Sequence, residues 1–151
     1  MITHPEKVLF PDDGITKGEL AGYYASIAPM MLPYVRARPV TMERYPAGIG
    51  KKGFWQKDVS KGFPKWLKRV AVPKKDGTVH YPLITDARTL LWVTNQNTIT
   101  PHVWVSRVPK LSYPDLCVFD LDPPQEYELD VLRTAALALR DLLEELGLPS
   151  W

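Results

Sequence analysis

The sequence predicts an α+β domain with a mixed, largely antiparallel central sheet flanked by helices. Three observations support this prediction: an apolar stripe with helical spacing in residues 132–146, a hairpin signal at Asp76-Gly77, and several short segments rich in β-branched and aromatic residues. Because helices and strands are interleaved without strict βαβ alternation, the α+β class is favoured over a parallel α/β sheet. The 151 residues, 45% of them hydrophobic, suit one compact domain over 1–151.

The first predicted helix begins after Thr16. Glu19 follows Thr16 by three residues, which is the spacing of a capping box, and apolar residues recur at helical spacing through residues 20–31. Pro29 predicts a kink or a division of this helix, because proline cannot donate to the helical hydrogen-bond ladder.

The middle of the chain is predicted to be extended. Extended segments are expected at residues 39–45 and 54–59, followed by a hairpin over 69–84 ("RVAVPKKDGTVHYPLI"). Within the hairpin, Asp76-Gly77 is a pair that tolerates the positive φ of a tight turn. These segments supply the strands of the expected antiparallel sheet.

The remaining elements follow Asp86, the predicted N-cap of a second helix over 87–97. Residues 102–108 ("HVWVSRV") and 115–121 ("DLCVFDL") are rich in β-branched and aromatic side chains, which predicts two strands. A last helix is predicted from an apolar stripe that is followed by two stop signals. The stripe and the stop signals are Leu132, Ala135, Ala136, Leu139, Leu142, Leu143, Leu146, Gly147 and Pro149.

Composition argues against disulfide scaffolds and membrane-spanning proteins. Cys117 is the single cysteine, which favours a reducing, cytoplasmic setting, and its apolar neighbours predict a small buried side chain. No apolar run approaches the roughly 18 residues of a membrane span, and the first ten residues lack the pattern of a signal peptide. We therefore expect a soluble, cytoplasmic protein with no membrane partner.

The charges are strongly polarised along the chain. Twelve Lys or Arg residues and two acidic residues lie in 36–75, whereas seven Lys or Arg and fifteen acidic residues lie elsewhere. Aromatic residues are interleaved with this basic segment, as in "KKGFWQK" and "KGFPKWLKR". A basic segment is often only a solvated face of the protein. With the interleaved aromatic residues, a solvated face and a surface that binds a polyanionic partner are equally favoured interpretations.

The segment "VFDLDPP" places Asp120 and Asp122 one residue apart within a predicted strand. Side chains at i and i+2 share a strand face, so the two carboxylates should project together and repel each other unless a cation lies between them. A hard divalent ion such as Mg²⁺ or Mn²⁺ prefers such oxygen ligands. The alternative interpretation is an ordinary acidic turn at the end of a strand.

Six stretches together resemble the polymerase domain of bacterial ATP-dependent DNA ligase D, a primase-polymerase of the archaeo-eukaryotic primase superfamily. They occur in the family's order over essentially the whole chain, and they are "THPEKVLFP", "GITKGELAGYY", "RPVTMERYPAG", "GFWQKD", "TPHVWVSR" and "VFDLDPP". In that family a Ser/Gly-rich triphosphate loop and a third metal-binding aspartate follow, and neither is matched here. The resemblance therefore implies a primase-polymerase-like but incomplete fold, with residues 1–151 as its N-terminal part.

The resemblance implies that Asp120 and Asp122 are catalytic and bind the divalent metal, Mn²⁺ or Mg²⁺. In two-metal catalysis one ion activates the attacking hydroxyl and the other holds the triphosphate. The resemblance also implies that His4, Lys7 and Lys17 bind the 5′-phosphate at a DNA gap or break. The N–H groups in the first turn of the helix that begins near Lys17 are expected to attract the same phosphate.

Five further residues match family positions near the template and the nucleotide. Phe54 and Trp55 match an aromatic pair that stacks on the template, with Lys57 nearby to meet the backbone. Arg44 and His102 match positions that contact the phosphates or sugar of the incoming nucleotide. Because adjacent strand residues face opposite ways, only one member of the aromatic pair is expected to touch nucleic acid.

The leading functional hypothesis is a primase-polymerase of bacterial non-homologous end joining that adds nucleotides, preferentially ribonucleotides, at gaps and breaks. Its expected partners are DNA ends with a 5′-phosphate, nucleoside triphosphates, and the ligase and end-binding proteins of the pathway, in the nucleoid. Whether the chain alone is active stays open. The alternatives are a non-catalytic module that binds 5′-phosphorylated ends, and an unrelated D-x-D enzyme that acts on sugars or phosphates.

Overall fold

The computed structural model describes residues 1–59, 61–126 and 128–150, which form two compact units, Met1–Leu116 and Cys117–Trp151. The second unit contains the helix α3, Leu129–Glu145. The first unit contains β1 Val8–Phe10, β2 Ile15–Thr16, α1 Lys17–Val35, β3 Val40–Arg44, β4 Phe54–Gln56, β5 Arg69–Lys74, β6 Gly77–Pro82, α2 Ala87–Asn95 and β7 Thr98–Val103.

All strand pairs are antiparallel, which confirms the predicted α+β class. The strands are divided among three sheets, β1-β2, β4-β3-β7 and β5-β6, where the sequence had predicted one central sheet. A single bridge between Pro39 and Leu83 connects the chain before β3 to the chain after β6. Pro39 and Pro82 have no N–H group, so they cannot extend this bridge into a ladder.

Local capping signals predicted the helix starts correctly. The Thr16 N–H donates to Glu19 Oε2 at 2.8 Å and the Glu19 N–H donates to Thr16 Oγ1 at 3.2 Å, so the capping box is formed. The Asp86 carboxylate accepts the Thr89 N–H at 2.8 Å at the start of α2. Helix α1 continues through Pro29 to Val35, so the predicted division does not occur.

The core of the first unit lies between the helices α1 and α2 and the strand β3. Its fully or nearly fully buried apolar residues are Leu9, Leu20, Tyr24, Ala28, Val35, Val40, Met42, Val59, Leu67, Ile84, Leu90 and Val93. The predicted hairpin over 69–84 is present as β5 and β6, but its turn is formed by Lys75 and Asp76 and not by the predicted Asp76-Gly77 pair, because Gly77, with a φ of +124°, is the first residue of β6 and pairs with Lys74. This core holds β3 as the central strand of its sheet.

A fully buried arginine lies beside this core. The Arg38 guanidinium donates to both Asp115 carboxylate oxygens, at 2.7 and 2.9 Å, and also to the carbonyls of Tyr34 and Trp104. Arg107 Nε donates to the same carboxylate at 2.8 Å. The two guanidinium groups hold the pKa of Asp115 at about 2, well below its ordinary value of 3.8.

Two strand predictions in the last part of the chain are wrong. The strand predicted over 102–108 is observed earlier, as β7 over Thr98–Val103. Residues 115–121 form no strand in the described structure, because Asp115 and Leu116 both donate to the Val105 carbonyl and no strand ladder continues beyond them. Cys117, expected to be buried, is exposed for the same reason.

The predicted C-terminal helix is present as α3, and Gly147 follows it with a φ of +69°. The helix is amphipathic, yet none of the described residues of α3 is buried. On its apolar stripe, Leu132, Leu139 and Leu143 are half-buried. In the part of the chain that the structure describes, no helix combines the length and the apolar character needed to cross a bilayer.

Candidate functional site

The sheet β4-β3-β7 carries candidate residues on both of its faces. Glu43 of β3 lies opposite Trp55, and the next residue, Arg44, lies opposite Phe54. The Trp55 ring contacts the His102 ring with centroids 4.6 Å apart, whereas the Arg44 guanidinium lies 5.2 Å from the centre of the Phe54 ring. The aromatic pair is thus divided between two faces, as strand alternation requires.

The face with Trp55 contains a hydrogen-bonded cluster that the sequence analysis missed. The Tyr45 hydroxyl donates to Glu43 Oε1 at 2.6 Å, and His102 Nε2 lies 3.4 Å from Glu43 Oε2. The hydrogen bond to Glu43 raises the pKa of Tyr45. The i, i+2 spacing of Glu43 and Tyr45 at the end of a predicted strand was the available signal.

The opposite face holds Arg44 in a fixed position. Its Nε donates to the Gln96 carbonyl at 2.7 Å and one terminal nitrogen donates to Gln56 Oε1 at 2.5 Å. Burial lowers the pKa of Arg44, which is consistent with a guanidinium that is partly removed from water. The remaining N–H groups of the Arg44 guanidinium can donate hydrogen bonds to an anion.

The three residues predicted to bind a 5′-phosphate differ in exposure. His4 is exposed, Lys7 is half-buried and Lys17 is 3% exposed. The Lys17 ammonium donates to the Thr3 carbonyl at 2.7 Å and to Thr3 Oγ1 at 3.2 Å. Burial lowers the pKa of Lys17, followed by repulsion from Lys7 and Arg44, and Glu6 opposes this shift. The geometry around Lys17 is therefore defined by its two hydrogen bonds to Thr3.

The prediction that N–H groups in the first turn of α1 attract the 5′-phosphate is wrong. The N–H of Lys17 donates to the Lys7 carbonyl at 2.7 Å, the N–H of Gly18 donates to the Pro5 carbonyl at 2.8 Å, and the Glu19 N–H is taken by Thr16. Two of these donors are thus satisfied by the segment 5–7, which lies over the start of α1, and the third by the capping box. A phosphate in this region would instead meet side chains.

Asp120 and Asp122 lie in the second unit, outside any strand. They share one open pocket of about 490 Å³ with Leu121, Pro123, Pro124, Glu126, Glu128, Val131, Leu132 and Ala135. Among the described residues no group of three or more His, Cys, Asp or Glu side chains is arranged to hold a metal ion. Two carboxylates at one pocket suit a hard divalent ion whose other ligands are water or substrate oxygens.

Lys57 and its basic neighbours lie on the surface. Lys51, Lys52 and Lys57 are exposed, and Lys57 directly follows β4. Lys57 thus follows Trp55 by two residues, and Trp55 retains 58% of its accessible surface. This arrangement suits a base on the ring and a phosphate on the ammonium group.

Gly53 permits the close packing of Tyr45 at the start of β4. A Cβ atom at Gly53 would lie 2.8 Å from Tyr45 Cε1 and 2.9 Å from the Arg44 carbonyl oxygen. We expect Gly53→Ala to displace β4 and to lower the free energy of unfolding by about 1–3 kcal/mol, measured by urea denaturation. Gly22→Ala in α1 is the control, because nothing lies within 4 Å of that position and alanine favours helix. A Gly53→Ala variant as stable as the wild type would contradict the close contact.

Comparisons with known proteins agree on one family. A profile described as "LigD, primase-polymerase domain" matches residues 16–151. The chain is 36% identical over 152 residues to the multifunctional non-homologous end joining protein LigD of Mycolicibacterium smegmatis, covering 99% of this chain and 20% of that protein. It is 30% identical over 149 residues to the bifunctional LigD of Bacillus subtilis, covering 99% of this chain and 24% of that protein.

A solved structure is similar as well. It is the polymerase domain from Mycobacterium tuberculosis ligase D in complex with DNA, with a TM-score of 0.86 and 34% sequence identity over 97% of this chain and 54% of that one. The chain thus spans about a fifth of the length of its full-length relatives and about half of the solved domain. On the strength of the profile match and these identities, the chain belongs to the LigD primase-polymerase domain family.

Proposed function

We propose that this chain is the N-terminal part of a primase-polymerase domain that adds nucleotides, preferentially ribonucleotides, to DNA ends in bacterial non-homologous end joining. The observation that carries the proposal is the similarity, at 34% identity and a TM-score of 0.86, to a polymerase domain solved with DNA. The charge distribution supports it, because the basic segment 36–75 belongs to the unit that holds the candidate DNA-contacting residues.

Each candidate residue has a role that its surroundings permit. The carboxylates of Asp120 and Asp122 would hold Mn²⁺ or Mg²⁺, which when bound activates the attacking 3′-hydroxyl and neutralises triphosphate charge. Trp55 offers a free ring face for stacking on the template, and His102, fixed by Trp55 and Glu43, offers a polar group for the nucleotide.

The N-terminal segment and the start of α1 would receive the 5′ end of the downstream strand. Lys7 and Lys17, with His4 beside them, would bind the 5′-phosphate. Arg44, fixed by Gln96 and Gln56, adds positive charge to the same region and meets nucleotide or strand phosphates through its remaining donors. Nucleoside triphosphates, the ligase and end-binding proteins of the pathway are the further partners in this proposal, which locates the protein in the bacterial cytoplasm and nucleoid.

A second candidate function is a non-catalytic module that binds 5′-phosphorylated DNA ends. One observation favours it: Thr3 holds the buried Lys17 ammonium in place, whereas no group of three or more His, Cys, Asp or Glu side chains among the described residues is arranged to hold a metal ion. Such a module would retain end recognition without nucleotidyl transfer.

Extension of a gapped primer-template with a 5′-phosphate distinguishes these functions. With Mn²⁺ and ribonucleotides the proposed polymerase extends the primer, prefers ribonucleotides over deoxyribonucleotides, and stops when a chelator is added. Salt-sensitive binding to the same DNA with no extension, and with no need for metal, would support the module. Absence of DNA binding at low salt would contradict both and favour a D-x-D enzyme acting on sugars or small phosphates.

A further inference from the structure

Thr3 is a junction between the N-terminal segment, helix α1 and the end of helix α2. Its carbonyl and hydroxyl accept from the buried Lys17 ammonium, and its N–H and hydroxyl both lie within hydrogen-bonding distance of Asn95 Oδ1, at 2.9 and 3.0 Å. We propose that Asn95 is a positioning residue of the 5′-phosphate site, which holds Thr3 so that Lys17 and Lys7 face one phosphate. This inference rests on the proposed binding of 5′-phosphorylated ends.

The Lys17 ammonium is pre-organised by Thr3. An ammonium has three donors, and two of the contacts of Lys17 are to Thr3, which leaves one donor for a ligand. An unbound lysine samples many rotamers, and fixing it during folding removes an entropic cost from the binding step. The rigidity of Thr3 therefore determines how well the remaining donor is aimed.

Asn95 supplies that rigidity from a distant part of the sequence. It is the last residue of α2, directly after the buried Thr94, whose hydroxyl donates to the Leu90 carbonyl at 3.1 Å. Its contact with Thr3 spans 92 positions. The anchor is thus one end of a packed helix, whereas Thr3 itself is an exposed residue near the start of the chain.

The segment between Thr3 and Lys7 needs such an anchor. His4 has a φ of +49°, which is unfavourable for a side chain with a Cβ, and its carbonyl accepts the Lys7 N–H at 3.1 Å to close a turn. The Pro5 carbonyl then accepts from Gly18. If Thr3 is released, the turn that orients His4 and Lys7 loses its fixed start.

Binding to two otherwise identical recessed duplexes, one with a 5′-phosphate and one with a 5′-hydroxyl, tests this role. The measurement is fluorescence anisotropy with the full chain. The quantity compared is the Kd for the 5′-hydroxyl duplex divided by the Kd for the 5′-phosphate duplex. Asn95→Ala removes the acceptor for both Thr3 donors, so we expect that ratio to fall about five- to tenfold. Thr3→Val, which loses the hydroxyl, should also lower the ratio, whereas Thr3→Ser should preserve it.

Each outcome discriminates. Equal Kd values for the two duplexes with the wild-type chain would overturn the proposed phosphate site and the inference with it. A wild-type preference that Asn95→Ala leaves intact would overturn the inference alone. An equal loss of affinity for both duplexes would show a general structural defect and also overturn the positioning role; thermal unfolding of each variant accompanies the titrations.

Discussion

Replacing Asp115 with asparagine is expected to lower the free energy of unfolding of the first unit by about 3 kcal/mol. The Arg38 guanidinium is 0% exposed, and Asp115 is the carboxylate that neutralises it. Removing one partner of a buried ion pair leaves an uncompensated charge, which typically costs about 3–5 kcal/mol. We expect the lower end because the Asp115 side chain is itself 45% exposed.

Urea denaturation followed by tryptophan fluorescence measures this change. Four tryptophans, Trp55, Trp66, Trp92 and Trp104, lie in the first unit and report its unfolding. Asp76→Asn is the matched control, because it makes the same chemical change at an exposed hairpin turn where Asn-Gly is equally suitable. A loss below about 1 kcal/mol for Asp115→Asn would mean that water, and not the carboxylate, compensates Arg38.

The same ion pair predicts how stability depends on pH. The folded-state pKa of Asp115 is about 2 and its ordinary value is 3.8, so its contribution is complete above about pH 4 and is lost as the pH falls through 2. With screening by solvent at a half-exposed group, this contribution is about 1 kcal/mol. Between pH 4 and 2 the stability difference between the wild type and Asp115→Asn should therefore shrink.

Replacing Asp120 with asparagine is expected to reduce primer extension at least about a hundredfold. The asparagine keeps the size of the side chain and removes the charge that a divalent ion requires, and loss of one group that stabilises transition-state charge costs about 10²–10³-fold in rate. Asp122→Asn should have a similar effect, because both carboxylates line one pocket.

Asp130→Asn is the control for this experiment. Asp130 lies in the first turn of α3, so it shares the local environment and the acidic character of the pair. Binding of Mn²⁺, followed by electron paramagnetic resonance, gives a second measurement that does not depend on turnover. Normal extension and normal Mn²⁺ binding in Asp120→Asn would remove this residue from the proposed metal site.

Short-range signals in the sequence predicted most of the local structure. The Thr16 and Asp86 caps depend on residues within a few positions of each other, and both are present as expected. The hairpin is also present, but Lys75 and Asp76 form its turn, one position before the predicted Asp76-Gly77 pair. The resemblance of six motifs also identified the family correctly, because the LigD primase-polymerase family model matches residues 16–151.

Contacts between distant residues could not be predicted in this way. Arg38 and Asp115 are separated by 77 positions and Thr3 and Asn95 by 92, and neither pair has a local pattern that marks it. The strand expected at 115–121 failed for the same reason: its composition suits a strand, but a strand also needs a partner with free backbone groups. The site roles of Asp120 and Asp122 stay predictions.

The two faces of strand β3 carry different candidate residues, and only the thickness of one strand separates them. The consecutive residues Glu43 and Arg44 project from opposite faces of the strand. A shift of β3 by one residue against β4 would therefore place the acidic side chain where the basic one now lies, and the reverse. The tight contact at Gly53 opposes such slippage, because a shift by one residue would bring Lys52 or Phe54 to a place where Tyr45 and the Arg44 carbonyl leave no room for a Cβ atom. The loop that joins β3 to β4 is therefore constrained in length, because an added or deleted residue that shifted the pairing would move Glu43 and Arg44 to the opposite faces.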